Sequence, residues 1–176
     1  MFYNLGFLQP PMAKVALIAA GDGKNMELAL KFKEMAEEMG HSTDVMDLMG
    51  LEWPVITNKL MKEGYKPEGA KDLMDRLGEA DGWVCIAPEY NGGMPSSLNN
   101  TVAWMSIFWN DFREVFNSRK VGLATHSGGG GDHVIMAMRQ MFSYLGCNLI
   151  GRAVISNKNK EANPEAMERI IREITE

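Results

Sequence analysis

Three glycine-bearing segments carry most of the chemistry this chain can offer: GDGKN at 21–25, PEYNGGMP at 88–95 and HSGGGGD at 126–132. In the second, Pro88, Glu89, Tyr90 and Asn91 stand side by side after the apolar pair Cys85 and Ile86, and Gly92 and Gly93 follow. Small residues let main-chain N–H and C=O groups reach the edge of a planar ligand. A tyrosine can flank such a plane, and an asparagine amide both donates and accepts. The plainer reading is a strand-to-helix connection in which Asn and Gly only make the turn. Local chemistry leaves both readings open.

The third segment sets His126 and Ser127 before four glycines, 128–131. A glycine run at a strand end favours close backbone approach to something flat or anionic. HSGGGG resembles the oxyanion loop of esterases, yet the chain has no G-x-S-x-G, so a hydrolase would lack its nucleophile. The first segment opens a dinucleotide fingerprint with Gly21 and Gly23, but Met26 stands at the third glycine position. Asp44 or Asp47 lies where a ribose partner belongs. Lys24, Asn25 and the N–H groups of a helix start favour an anion there, and Asp22 opposes one.

Positioning these segments requires elements, and the periodicity supplies them in alternation. AKVALIAA (13–20) is a continuous apolar run suited to a strand buried on both faces. Leu28, Phe32, Met35, Ala36 and Met39 recur at helical spacing over 25–39, with Gly40 at the C-cap. Further strands are expected at 43–48, 82–88, 120–126 and 148–156. Helices are expected from Pro67 to about Ala80, from Ser96 to about Trp109, from His133 to Leu145, and after the cap-and-N1 pair Asn163–Pro164. Five strands alternating with five helices predict an α/β, three-layer, doubly wound parallel sheet. Ligands of such sheets bind beyond the carboxyl ends of the strands, where the three glycine segments fall. The long segment 49–66, with Trp53 and Tyr65, borders that region.

The bulk properties narrow the function. The 176 residues make one domain of ordinary hydrophobic content (45%), and a net charge of −5 without a basic run gives no footprint for nucleic acid. No apolar run approaches the roughly 20 residues that span a bilayer. The opening MFYNLGFLQPPM lacks the charged region of a secretory signal. Residues 1–12 are read as an N-terminal extension, either an arm packing on a partner subunit or, as favoured here, a stretch upstream of a start at Met12. Cys85 and Cys147 have no metal-ligand spacing and read as two buried thiols in a reducing cytoplasm.

The segment ADGWVCIAPEYNGGMPSSLNNTVAWMS resembles the signature of the NADPH-dependent FMN reductase family of flavodoxin-like flavoproteins. KVGLATHSGGGGDHVIMAMRQMFSYLGC is similar to that family's second flavin loop, followed by a helix carrying an Arg–Gln pair, here Arg139 and Gln140. The likeness covers about residues 13–176 and implies a five-stranded sheet of order 2-1-3-4-5. It also implies FMN as cofactor, with NADPH or NADH as electron donor. By the same resemblance, flavin-ring contacts fall on Pro88, Glu89, Tyr90, Asn91 and Gly92, and a second ring loop on Ser127, Gly128 and Gly129. The phosphate loop falls on Gly21, Lys24 and Asn25. It departs from the family's Gly-Ser-x-Arg pattern: it is shorter, Asp22 stands near the serine position, and Lys24 is the nearest substitute for the arginine.

The implied reaction passes hydride from reduced nicotinamide through flavin to a small acceptor such as a quinone, a metal ion, an azo compound or free flavin. The cofactor carries that chemistry, so no catalytic residue and no metal ligand are assigned. Two alternatives stand beside it: a binding or regulatory module with a weakened flavin site, and a flavodoxin-type electron carrier. Acceptor specificity is expected around Trp53 and Tyr65. The helix SSLNNTVAWMSIFWNDF is apolar on more than one face, which predicts a homodimer or homotetramer in which Trp104 or Trp109 is buried only on association. The competing expectation is that segment 49–66 covers this helix within one chain.

Overall fold

The computed structural model describes residues 12–176, so the expectations for the opening segment concern residues that lie, all but Met12, outside the description. Five strands, β1 (Lys14–Ala19), β2 (Ser42–Asp47), β3 (Gly82–Ile86), β4 (Lys120–His126) and β5 (Asn148–Ser156), form one all-parallel sheet of order β2-β1-β3-β4-β5. The order follows the resemblance, and the apolar runs explain the central strands. Alternate residues of β1 feed two cores: Ala16 and Ile18 face one, Val15, Leu17 and Ala19 the other. Trp83 and Cys85 of β3 join the first, Val84 and Ile86 the second.

Helices α1 (Gly23–Glu38) and α7 (Pro164–Thr175) cover the second core through Leu28, Phe32, Ile170 and Ile171. The opposite face is covered by α3 (Ala70–Glu79), α4 (Ser96–Met105), α5 (Trp109–Phe116) and α6 (Asp132–Tyr144). A short helix α2 (Asn58–Lys62) and a 3₁₀ turn (Met49–Leu51) lie within segment 49–66. Asn163 caps α7 by accepting from the Ala166 N–H at 3.1 Å, with Pro164 in the first turn as the sequence predicts.

Most ends fall within two residues of expectation, and two helices depart from it by more. Helix α3 begins at Ala70 and not at Pro67, because Gly69 adopts φ +76°, a left-handed conformation that a right-handed helix cannot contain. The expected helix Ser96–Trp109 is interrupted: Ile107 and Phe108 donate to Trp104 and Met105 in tight three-residue steps, and a second helix starts at Trp109. The bend lets Met105 and Phe112 both reach the core.

Trp104 also corrects an expectation. It is 0% exposed in the single chain, so its burial needs no partner. Its Nε1–H donates to the Pro54 carbonyl at 2.6 Å and Tyr65 packs edge-on at 5.5 Å between ring centroids. Asn100 holds the same segment, accepting from the Ile56 N–H and donating to the carbonyls of Trp53 and Pro54. Segment 49–66 therefore covers this face of α4. Trp109 is 61% exposed, with the Arg113 guanidinium 4.9 Å from its ring centroid.

Candidate functional site

The loops after β1, β3 and β4 meet at the carboxyl ends of the strands, tied by contacts between residues distant in sequence. Gly21 is pressed against Pro88: a Cβ on it would sit 2.6 Å from the proline Cδ. Any larger residue there would push the first two loops apart. The Ser97 hydroxyl, in the first turn of α4, donates to the Ala20 carbonyl at 2.8 Å and closes the same seam from the other side. Ser97 lies within the signature segment, where the resemblance assigns it no role. A serine just inside a helix that follows a strand end is the signal that would have found it.

Asn25 is buried, and its side chain spans to β4. Its amide nitrogen donates to the His126 carbonyl at 3.0 Å, and its amide oxygen accepts from the His126 N–H at 2.8 Å. The Asn25 side chain is thus committed to holding the first loop onto the third. Lys24 Nζ pairs with Glu27 at 2.8 Å on the surface. What the first loop offers an anion is the start of α1, where the Gly23 and Lys24 N–H groups have no intrahelical partner and Asp22 gives no side-chain cap, while the Asn25 N–H bonds the Asp22 carbonyl at 3.2 Å.

In the second loop, Asn91 and Gly92 both adopt positive φ, +51° and +73°. Tyr90 and Gly93 exchange N–H···O bonds of 3.1 and 2.9 Å around them, a type I′-like turn that matches the Asn-Gly sequence. Pro88 is buried at its base, while Tyr90, Asn91 and Gly92 are exposed. The turn reading of Asn91–Gly92 is therefore correct, and it presents these three residues outward. Gly92 lies against His133 at the start of α6.

Glu89 has a role that the sequence did not suggest. Helix α6 has Gly131 at its N-cap, φ +77°, which offers no side chain. The Glu89 carboxylate fills that role from the neighbouring loop, accepting from the Val134 N–H at 3.2 Å. A carboxylate at a helix N-terminus is doubly favoured, by the hydrogen bond and by the helix dipole. The third loop turns on Ser127, which is buried and whose hydroxyl accepts from the Gly129 N–H at 3.1 Å. Gly128 and Gly129 are exposed, and a Cβ at Gly128 would meet nothing within 4 Å. Arg139 is turned away from the loops, donating to the carbonyls of Ile150 and Gly151.

The residues so arranged match known proteins. The profile of the NADPH-dependent FMN reductase family matches residues 13–161. The chain belongs to that family. A 2-hydroxy-1,4-benzoquinone reductase from a Burkholderia species is 26% identical over 170 residues, 92% of this chain and 87% of the relative. Among solved structures, the flavoenzyme NAD(P)H:(acceptor) oxidoreductase FerB from Paracoccus denitrificans superposes with a TM-score of 0.72 at 15% identity, covering 93% of this chain and 96% of that one. An oxidoreductase from Corynebacterium diphtheriae gives 0.74 at 16% identity, covering 93% and 95%. The fold is flavodoxin-like, and the family makes this an oxidoreductase that works with FMN and NADPH.

The donor set fits the flavin group. An outward turn with positive φ and an open glycine strip flank one region, and a helix start with N–H groups free of side-chain caps lies beside it. Among the described residues no cluster of three or more His, Cys, Asp or Glu side chains could hold a metal, and no helix is long and apolar enough to cross a membrane.

Burial decides the state of the two thiols. Cys147 is pushed up to about 12, and fully buried Cys85 higher still, so neither forms a thiolate near neutral pH. Trp53 and Tyr65, the expected specificity residues, serve structure: Trp53 Nε1–H donates to the Glu68 carbonyl at 3.0 Å, and Tyr65 packs on Trp104.

Proposed function

We propose that this chain is an FMN-dependent NAD(P)H oxidoreductase whose acceptor is a small quinone, working as a homodimer in the cytoplasm. The observation that carries the reading is the convergence of three loops through long-range ties, with Tyr90, Asn91, Gly92, Gly128 and Gly129 exposed at their tips. FMN, when bound, supplies the two-electron chemistry between nicotinamide and acceptor. The chain's residues bind and orient. Pro88, Glu89, Tyr90, Asn91 and Gly92 border the ring on one side, with Tyr90 (57% exposed) as its flank. Ser127, Gly128 and Gly129 border it on the other. Gly21, Lys24 and Asn25 form the phosphate end, where main-chain N–H groups and Lys24 meet the anion while Asn25 fixes the loop. No side chain is asked to move a proton, and Glu89 is occupied by α6.

The quinone assignment rests on the benzoquinone reductase relative and on a neighbour described as a putative quinone reductase from Klebsiella pneumoniae. The dimer rests on exposed Trp109, Met136 and Tyr144, large apolar groups that a second copy would cover. A cytoplasmic site suits two buried free thiols. The deciding experiment adds FMN to the purified chain and titrates NADPH with and without a benzoquinone. Saturable flavin binding and quinone-dependent NADPH oxidation are expected. Absence of flavin binding at micromolar concentrations would overturn the proposal. Sedimentation at the same concentration tests the dimer, and a single-chain mass with intact flavin binding would remove that part alone.

A further inference from the structure

A cleft of about 210 Å³ opens beside the first and third loops, on the α7 side of the sheet. Its walls come from α1 (Lys24, Glu27, Lys31), the end of β4 (His126), the end of β5 (Ser156) and the turn that follows (Lys158, Lys160, Glu161). Four lysines face two glutamates, in a chain whose net charge is −5. Lys24 is paired with Glu27, but among the described residues Lys31, Lys158 and Lys160 make no ion pair. A concentration of unpaired cations around a concave surface on an acidic protein raises the local concentration of anions.

The floor and rim are ordered. The Asn157 and Lys160 backbones exchange hydrogen bonds of 2.8 and 3.1 Å, and the Asn157 side chain accepts from the Asn159 N–H at 2.9 Å. This tight turn holds Lys158 and Lys160 at the same edge of the cleft. On the floor, the Ser156 hydroxyl has one proton and donates it to the Thr125 carbonyl at 3.2 Å. The 3.1 Å contact between Ser156 Oγ and His126 Nδ1 is then a bond donated by the ring, so in that neutral tautomer Nε2 carries a lone pair and no proton, and the ring lines the cleft without donating into it. His126 is also the residue whose backbone Asn25 clamps, directly before Ser127 of the third loop.

We propose that this cleft binds a phosphomonoester dianion through the ammonium groups of Lys24, Lys31, Lys158 and Lys160, with the His126 ring as part of its wall. The inference rests on the flavin reading for its ligands, which supply two such groups: the 5′-phosphate of FMN and the 2′-phosphate of NADPH. The first would compensate a phosphate loop whose Asn25 is otherwise engaged. The second would give the protein a preference for NADPH over NADH.

The test uses the full flavin-free chain and the double variant Lys158→Ala/Lys160→Ala, whose residues are exposed and make no hydrogen bond through their side chains among the described residues. Inorganic phosphate should produce saturable chemical-shift changes at the His126 ring and the 157–161 amides, and these should vanish in the double variant. If FMN is the source, the variant binds FMN about tenfold more weakly while riboflavin affinity holds. If NADPH is the source, FMN affinity holds and the ratio of kcat/KM for NADPH over NADH falls about tenfold. Glu161→Gln should shift the same ratio the other way. Two results would overturn the proposal: no saturable phosphate response at these residues, or a response with neither ratio changed, which marks an adventitious ion only. A chain that binds no flavin would refute the flavin reading by itself, and the phosphate titration would still judge the cleft.

Discussion

Replacing Glu89 with alanine removes the only side-chain cap that the N-terminus of α6 receives among the described residues, since Gly131 has none to give. The lost carboxylate–Val134 bond costs about 1 kcal/mol as a helix cap. The lost charge at the positive end of the dipole adds about 0.3–1 kcal/mol. The two effects overlap, so about 1–2 kcal/mol is expected. For a chain of this length each kcal/mol moves Tm by about 2–4 °C, which puts the shift at about 2–8 °C. Glu89→Gln keeps an acceptor oxygen and should lose less than half as much. Thermal melts followed by circular dichroism measure both variants, and hydrogen exchange at the Val134 amide reports the cap itself. High salt should narrow the gap between Glu89→Gln and the native chain, because only the charge is screened. The tether also joins two of the proposed ring loops, so FMN affinity should fall further in the alanine variant than in the glutamine one. An alanine variant with native Tm and native Val134 exchange would refute the reasoning. So would a glutamine variant as unstable as the alanine one.

Asn25→Ala leaves the His126 N–H and carbonyl without their partner at a buried position, and should destabilise the chain by about 2–4 kcal/mol in urea titration; less than 1 kcal/mol would mean water replaces the amide at no cost. His41 is buried, its Nδ1 accepts from the Ala13 N–H at 3.3 Å and its Nε2 has no partner, so burial holds its basicity below the ordinary value, partly offset by Asp81. Below about pH 6.5 the unfolded chain takes up a proton that the folded chain resists, so stability falls as pH drops from there, by up to about 1.4 kcal/mol per unit. His41→Asn should flatten that slope, and an unchanged slope would assign it to other groups. With both thiols buried and held protonated, a thiol-specific disulfide reagent at pH 8 should label neither Cys85 nor Cys147 in the folded chain and both in denaturant; fast native labelling would contradict their burial.

The strands were legible because β1 and β3 are buried on both faces, and only a continuous apolar run can satisfy that. The cap of α7 was legible because Asn163 and Pro164 act within four residues of each other. What escaped were couplings between residues far apart. Asn25 was singled out as an anion contact, whereas its amide belongs to His126. Glu89 was singled out as a ring contact, and it also caps a helix 45 residues away. The excess apolar surface of α4 was visible, but hydrophobicity does not say what covers it. Both segment 49–66 and a second subunit fit the pattern, and the polar Asn100, with three bonds to that segment, is what commits Trp104 to its own chain.

The clamp from Asn25 to His126 joins residues 101 positions apart, and protein synthesis runs in one direction. At about 5–20 residues per second, the loop that would cradle a phosphate leaves the ribosome roughly 5–20 s before the strand end that fixes it. During that interval β1 must also wait for β3, its neighbour in the sheet, since β2 alone closes only one of its edges. A nascent chain ending before β4 can press Gly21 on Pro88 and close the Ser97–Ala20 bond, yet it lacks the His126 clamp on Asn25. The three-loop arrangement is therefore complete only once β4 has emerged, and a shorter nascent chain carries two of its three loops.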